Sequence, residues 1–121
     1  MEWIRVLDES ELGPDERRVV EVQEHKILLL RHENNVYAVL NACPHMGAPM
    51  KRGKITEDDE IVCPLHHSRF SLETGEVKAW SPWPPVVGKV LGAVKEERPL
   101  PTYATKVEDG SIWIQIGGEG Q

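Results

Sequence analysis

Apolar and polar positions in this chain form short extended runs broken by Gly, Pro, Asn and Asp, and no long run carries the spacing of an amphipathic helix. Residues 2–7 read as a first strand. Asp8 to Asp15, with Ser10, Gly13 and Pro14, reads as a loop with room for one helical turn. Residues 17–23 and 25–32 read as strands, and the unbroken run Ile27-Leu28-Leu29-Leu30 predicts burial on both faces. Asn34-Asn35 is a tight hairpin signal, and Val36 to Leu40 is the return strand. Ile55 and Ile61-Val62 flank Glu57-Asp58-Asp59-Glu60, a solvated turn tip. Arg69 to Leu72, a turn at Thr74-Gly75 and a short strand at Glu76 to Lys78 follow. The chain closes on a hairpin: Thr102 to Glu108 and Ser111 to Ile116 flank Asp109-Gly110, with Ile112, Ile114 and Ile116 on one face. Several short strands with this punctuation predict an all-β sandwich or barrel.

At 121 residues the chain is one domain, or a core with a small appended lobe. Its core is modest, so a bound metal group would add noticeably to stability. The net charge of −6 argues against nucleic acid, which wants a basic face, and suits a carrier that docks on a basic partner. No stretch reaches the roughly eighteen apolar residues of a membrane span, and the first residues are charged. The expectation is a cytoplasmic protein, in a compartment that keeps thiols reduced and free to act as ligands.

Both cysteines lie in one region, Cys43-Pro44-His45-Met46-Gly47-Ala48-Pro49 and Cys63-Pro64-Leu65-His66-His67-Ser68-Arg69-Phe70. Each is followed within three residues by a histidine, which makes Cys43, His45, Cys63 and His66 a four-ligand metal set. Pro44, Gly47, Pro49 and Pro64 favour two stiff loops around it. Stiff loops leave little ligand entropy to lose on binding. Two metals fit. Zinc takes two Cys and two His, but usual fingers pair Cys with Cys and His with His. Mixed pairing suits a [2Fe–2S] cluster in which one iron takes both thiolates and the other both imidazoles. A disulfide with two bystander histidines is the third reading.

With its C-x-H, its spacer over residues 46–62 and its C-x-x-H, the chain resembles the Rieske family. The Pro after each Cys and the Gly two residues after the first His also match. The likeness extends to the N-terminal strand with its Trp, to ENNVYAVLNACPHMGAPM, FSLETGEV and PLPTYATKVEDGSIWI, and so covers nearly the whole chain. It implies one Rieske domain over residues 1–121, an antiparallel β-sandwich with a small cluster-binding lobe inserted at about 42–72. A Pro/Trp loop at about 79–98, longer than usual for the family, and a flexible tail at 117–121 complete the expected layout.

The resemblance also implies chemistry. Two ferric ions, two sulfides and two thiolates sum to zero, so the oxidised site is neutral. A site with four thiolates is more negative and accepts an electron less readily. Histidine ligation therefore raises the potential, into roughly −150 to +300 mV. Respiratory relatives carry two further cysteines joined across the loops. Ala48 and Leu65 stand there in this chain, which points to a ferredoxin of the kind that feeds oxygenases. Ser68 and Phe70 fall where high-potential relatives use Ser and Tyr hydroxyls to tune the cluster. His67 stands where the family commonly has Gly; the two-residue spacing favours His66 as the ligand. The expected function is one-electron transfer from a flavin-dependent reductase to a terminal oxygenase or other redox protein. The chain has no room for a catalytic mononuclear-iron domain, so it is expected to be a carrier and not itself an enzyme. A small Rieske-like subunit of a larger oxidoreductase such as nitrite reductase, and a zinc-stabilised binding module, are the other readings.

The remaining residues carry less. His25 and His32 fall on strands and read as surface or edge residues. Lys51, Arg52 and Lys54, between the ligand loops, read as a docking patch or a solvated face. Trp80, Trp83 and the prolines 82, 84 and 85 read as a shield over the cluster or as part of a core.

Overall fold

A computed structural model describes residues 2–44, 47–65, 67–80, 82 and 97–116. Among them the chain is all-β, with one 3-10 turn at Glu9–Glu11. It divides into two compact units, residues 1–40 with 101–121, and residues 41–100.

The first unit holds two antiparallel sheets. One has the order β1 (Glu2–Asp8), β11 (Ser111–Ile116), β10 (Thr105–Glu108). The other has the order β2 (Arg17–Val22), β3 (His25–His32), β4 (Asn35–Leu40), β9 (Thr102–Tyr103). Leu7, Leu12, Ile27, Leu29, Ala38, Tyr103, Ile112, Ile114 and Ile116 form one buried cluster. The alternate positions of β3 and β4, Leu28, Leu30 and Val39, are buried too, so the apolar run is covered on both faces as predicted.

Three hairpins share one turn geometry. Gln23-Glu24, Glu33-Asn34 and Asp109-Gly110 are two-residue turns with φ positive at both central residues. That is the turn whose twist matches the flanking strands. The middle turn sits one residue earlier than Asn34-Asn35, because His32 pairs with Asn35 and draws it into β4. The expected strand 102–108 is two strands. Thr102 and Tyr103 pair with β4, the chain steps over at Ala104, and Thr105 to Glu108 pair with β11. One short segment thereby joins the two sheets. The 9–16 loop is fastened by Arg31, whose Nε donates to the Leu12 carbonyl at 2.8 Å while its guanidinium lies 3.7 Å from Glu9. His25 and His32 lie on β3, which is flanked by strands on both sides, so neither is an edge residue.

The second unit carries a small antiparallel sheet of β5 (Lys54–Ile55), β6 (Glu60–Val62), β7 (Arg69–Ser71) and β8 (Val77–Ala79). Residues 56–59 form the acidic turn between β5 and β6. Met50, Ile61, Phe70, Leu72 and Leu100 are almost fully buried. The Leu100 N–H donates to the Gly75 carbonyl at 2.9 Å and ties the end of the unit to the β7–β8 turn. Most of the 79–98 loop, with Trp83, Pro84 and Pro85, and all of the 117–121 tail lie outside the described residues. No helix among the described residues is long and apolar enough to cross a membrane.

Candidate metal centre

The two ligand loops are built to one plan. Each starts on a cysteine followed by proline, which fixes φ where the chain turns. In the first, the Cys43 N–H donates to the Ala48 carbonyl at 2.7 Å, and the Gly47 N–H donates back to the Cys43 carbonyl at 2.7 Å. In the second, the Cys63 N–H donates to the Ser68 carbonyl at 2.8 Å, and the His67 N–H donates back to the Cys63 carbonyl at 3.1 Å. The same two bonds thus close a six-residue loop twice. The fourth residue after each cysteine has a left-handed backbone, with φ +75° at Gly47 and +62° at His67. Glycine takes that conformation without strain, whereas histidine does so at a cost.

Cys43 and Cys63 are both 2% exposed, and neither is in a disulfide. The structure therefore excludes the disulfide reading. Ser68 is the one buried polar residue among the described ones, at 1% exposure. Its side chain is therefore shielded from solvent. Phe70 is fully buried and meets Trp80 edge-on, with ring centroids 6.4 Å apart. Trp80 thus closes a core beside the second loop. His45 and His66, the two expected imidazole ligands, lie outside the described residues. His67, next to His66, is half-buried.

Two supporting residues carry no signal in the spacing of the ligands. Asn41, two residues before Cys43, accepts from the Met50 and Lys51 N–H groups on one carboxamide oxygen, at 2.8 and 3.0 Å. The segment that leaves the first loop is thereby tied to the one that enters it. Gly53 lies against β6 so closely that a Cβ there would stand 2.4 Å from the Val62 carbonyl oxygen. Val62 immediately precedes Cys63, so the absence of a side chain at residue 53 lets β5 approach the second loop.

The donor set fits an iron–sulfur cluster. Two buried, unbridged thiols stand at equivalent places in two closed loops, with Ser68 the one buried polar residue among the described residues. Soft thiolate ligands in a water-poor setting suit such a cluster.

Comparison with known proteins agrees. The model of the Rieske [2Fe-2S] domain matches residues 2–103. The ferredoxin component of the alkene monooxygenase system of Xanthobacter autotrophicus is 34% identical over 76 residues, which is 63% of this chain and 62% of that protein. The ferredoxin subunit of the 3-phenylpropionate/cinnamic acid dioxygenase of Escherichia coli K12 is 30% identical over 90 residues, 74% of this chain and 72% of that one. Among solved structures, the ferredoxin of carbazole 1,9a-dioxygenase from Nocardioides aromaticivorans superposes with a TM-score of 0.72 at 28% identity, over 93% of this chain and 95% of that one. The family decides between the two metals the ligand set left open. This chain belongs to the Rieske [2Fe-2S] domain family and carries its iron–sulfur cluster.

Proposed function

We propose that this protein is a cytoplasmic one-electron carrier that takes electrons from a flavin-dependent reductase and delivers them to a terminal oxygenase. The observation that supports this most is the pair of matched loops holding two buried thiols. The relatives named above are ferredoxin components of oxygenase systems. In this reading Cys43 and Cys63 hold one iron and His45 and His66 the other. Bound there, the cluster supplies reversible one-electron chemistry, at a potential above that of all-cysteine ferredoxins.

The chain's own contribution is to hold and tune. The closed loops hold both cysteines on hydrogen-bonded backbone, which limits the backbone entropy lost on binding. Burial of Cys43, Cys63 and Ser68 keeps water from the thiolate side. Ser68 and Phe70 set the potential, the first through its hydroxyl and the second through lacking one.

Mixing the reduced protein anaerobically with an oxidised Rieske-type terminal oxygenase tests the function. The expected result is stoichiometric one-electron oxidation of the carrier with matching reduction of the oxygenase. A carrier that a flavin reductase reduces but that gives no electron to the oxygenase would refute the reading.

A further inference from the structure

Charge in this molecule is unevenly shared. Between residues 41 and 100 eight Lys/Arg offset eight Asp/Glu, so the net −6 resides wholly on the sandwich unit. Within the cluster lobe the signs are also separated along the chain. Lys51, Arg52 and Lys54 have no acid near them in sequence until Glu57, and the acidic tip Glu57 to Glu60 has no Lys or Arg after it until Arg69. Lys51, Arg52 and Lys54 are all exposed, and Arg52 and Lys54 form no ion pair among the described residues.

This basic turn is fastened to both ligand loops. Asn41, beside the first loop, holds the N–H groups of Met50 and Lys51. The turn is closed by the Gly53 N–H donating to the Met50 carbonyl at 2.9 Å. Met50 is fully buried beneath it. Lys54 then pairs with Val62, the residue before Cys63, and Gly53 rests on the Val62 carbonyl. Three cationic side chains are thus mounted on backbone that is rigid with respect to both cysteines. A flexible loop would give the charge without the aim.

We propose that the Lys51–Lys54 turn is the electrostatic docking element of the lobe, and that it seats a redox protein presenting carboxylates beside its own electron-exchange site. This rests on the electron-carrier reading and names the surface and the partner's charge. It also revises what net charge alone suggests, namely a basic partner. Screening at physiological ionic strength acts over about 8 Å, so a partner at contact senses the charge of the turn it touches more than the net charge of the chain. A nucleic acid would want a broader basic face, and here Glu57 to Glu60 follow directly.

Small redox ions of opposite sign read the charge at the electron port. The reduced holoprotein is oxidised by ferricyanide or by hexaammineruthenium(III); one electron leaves the cluster, and ferrocyanide or hexaammineruthenium(II) forms. In the double variant Arg52→Glu/Lys54→Glu the ferricyanide rate should fall about threefold or more at low ionic strength, the ruthenium rate should rise, and both changes should vanish near ~1 M salt, where screening acts over about 3 Å. The charge-matched double variant Arg18→Glu/Lys26→Glu, on the sandwich unit, should change either rate far less. A binding readout without electron transfer accompanies it. The redox-inert anion hexacyanochromate(III) should broaden amide resonances of residues 51–55 in the oxidised holoprotein more than those of 57–60. Equal slowing by the two double variants, or unchanged rates with an intact reducible cluster, would overturn the proposal. A protein that binds no cluster or accepts no electron would instead refute the carrier reading.

Discussion

Gly47 and His67 occupy the same place in two matched loops. Each has a left-handed backbone, and each donates its N–H to the carbonyl of the cysteine four residues earlier, at 2.7 and 3.1 Å. Glycine meets that demand freely, while histidine carries a Cβ penalty of about 1 kcal/mol or somewhat more.

His67→Gly should therefore raise stability by about 1 kcal/mol and leave iron content unchanged, whereas Gly47→Ala should lower stability by a similar amount. Nothing lies within 4 Å of a Cβ built at Gly47, so the penalty there is one of backbone conformation and not of space. Denaturant titrations with iron counted before and after would show it. Loss of iron in His67→Gly would place the second imidazole ligand one residue later than proposed.

Gly53 presents the opposite case, space without left-handed backbone. An added Cβ would meet the Val62 carbonyl oxygen at 2.4 Å, and either β5 or β6 must move. Gly53→Ala should cost about 1–3 kcal/mol, as overpacking does. Because Val62 precedes Cys63, the variant should also lose iron faster to a chelator. A variant of wild-type stability and iron retention would mean that the two strands yield without disturbing the loop.

The potential should respond to hydroxyls near the thiolates. A donor aimed at sulfur stabilises the reduced, more negative cluster more than the oxidised one. With a hydrogen bond worth about 1 kcal/mol, the one-electron shift is about 40 mV, from ~59 mV per tenfold change. Ser68→Ala should lower the potential by that order, and Phe70→Tyr should raise it, with the ring still seated against Trp80. Protein-film voltammetry on both variants measures this, and unshifted potentials with intact clusters would remove Ser68 and Phe70 from the tuning set.

The strand pattern and the two cysteine loops were legible because both are local. Alternation in β11 and the four-residue apolar run in β3 report burial directly, and the Cys-Pro pairs mark both loops. The hairpin at Gln23-Glu24 carries no usual turn residue; the register of β2 on β3 forces its geometry. The step at Ala104 was hidden because residues 102–108 read as one extended run, and only the choice of partner strand divides them. Asn41 and Gly53 were invisible as supports, since their partners lie nine residues or more away along the chain. The shared plan of the loops is half visible: the Cys-Pro pairs show it, but His67 at a glycine's place conceals the equivalent turn.

Tyr103 gives a prediction on pH. Burial raises its pKa above the ordinary tyrosine value, and its hydroxyl finds no hydrogen-bond partner among the described residues. The folded state then holds the proton more tightly than the unfolded state. Stability from this residue is complete below the unfolded value of about 10 and falls as pH rises from there through the folded value. Tyr103→Phe should be neutral or slightly stabilising at pH near 7 and should flatten the loss of stability above about pH 10. An unchanged alkaline slope in the variant would show that other groups govern it.

The central claim is a cluster with two thiolate and two imidazole ligands in matched loops. An anaerobic redox titration followed by electron paramagnetic resonance, with metal analysis on the same sample, tests it most directly. The predicted result is two irons and no zinc per chain, and a one-electron signal that appears on reduction with a midpoint between roughly −150 and +300 mV. A midpoint near roughly −400 mV, as in plant-type ferredoxins with four cysteine ligands, or a silent sample containing zinc, would contradict it.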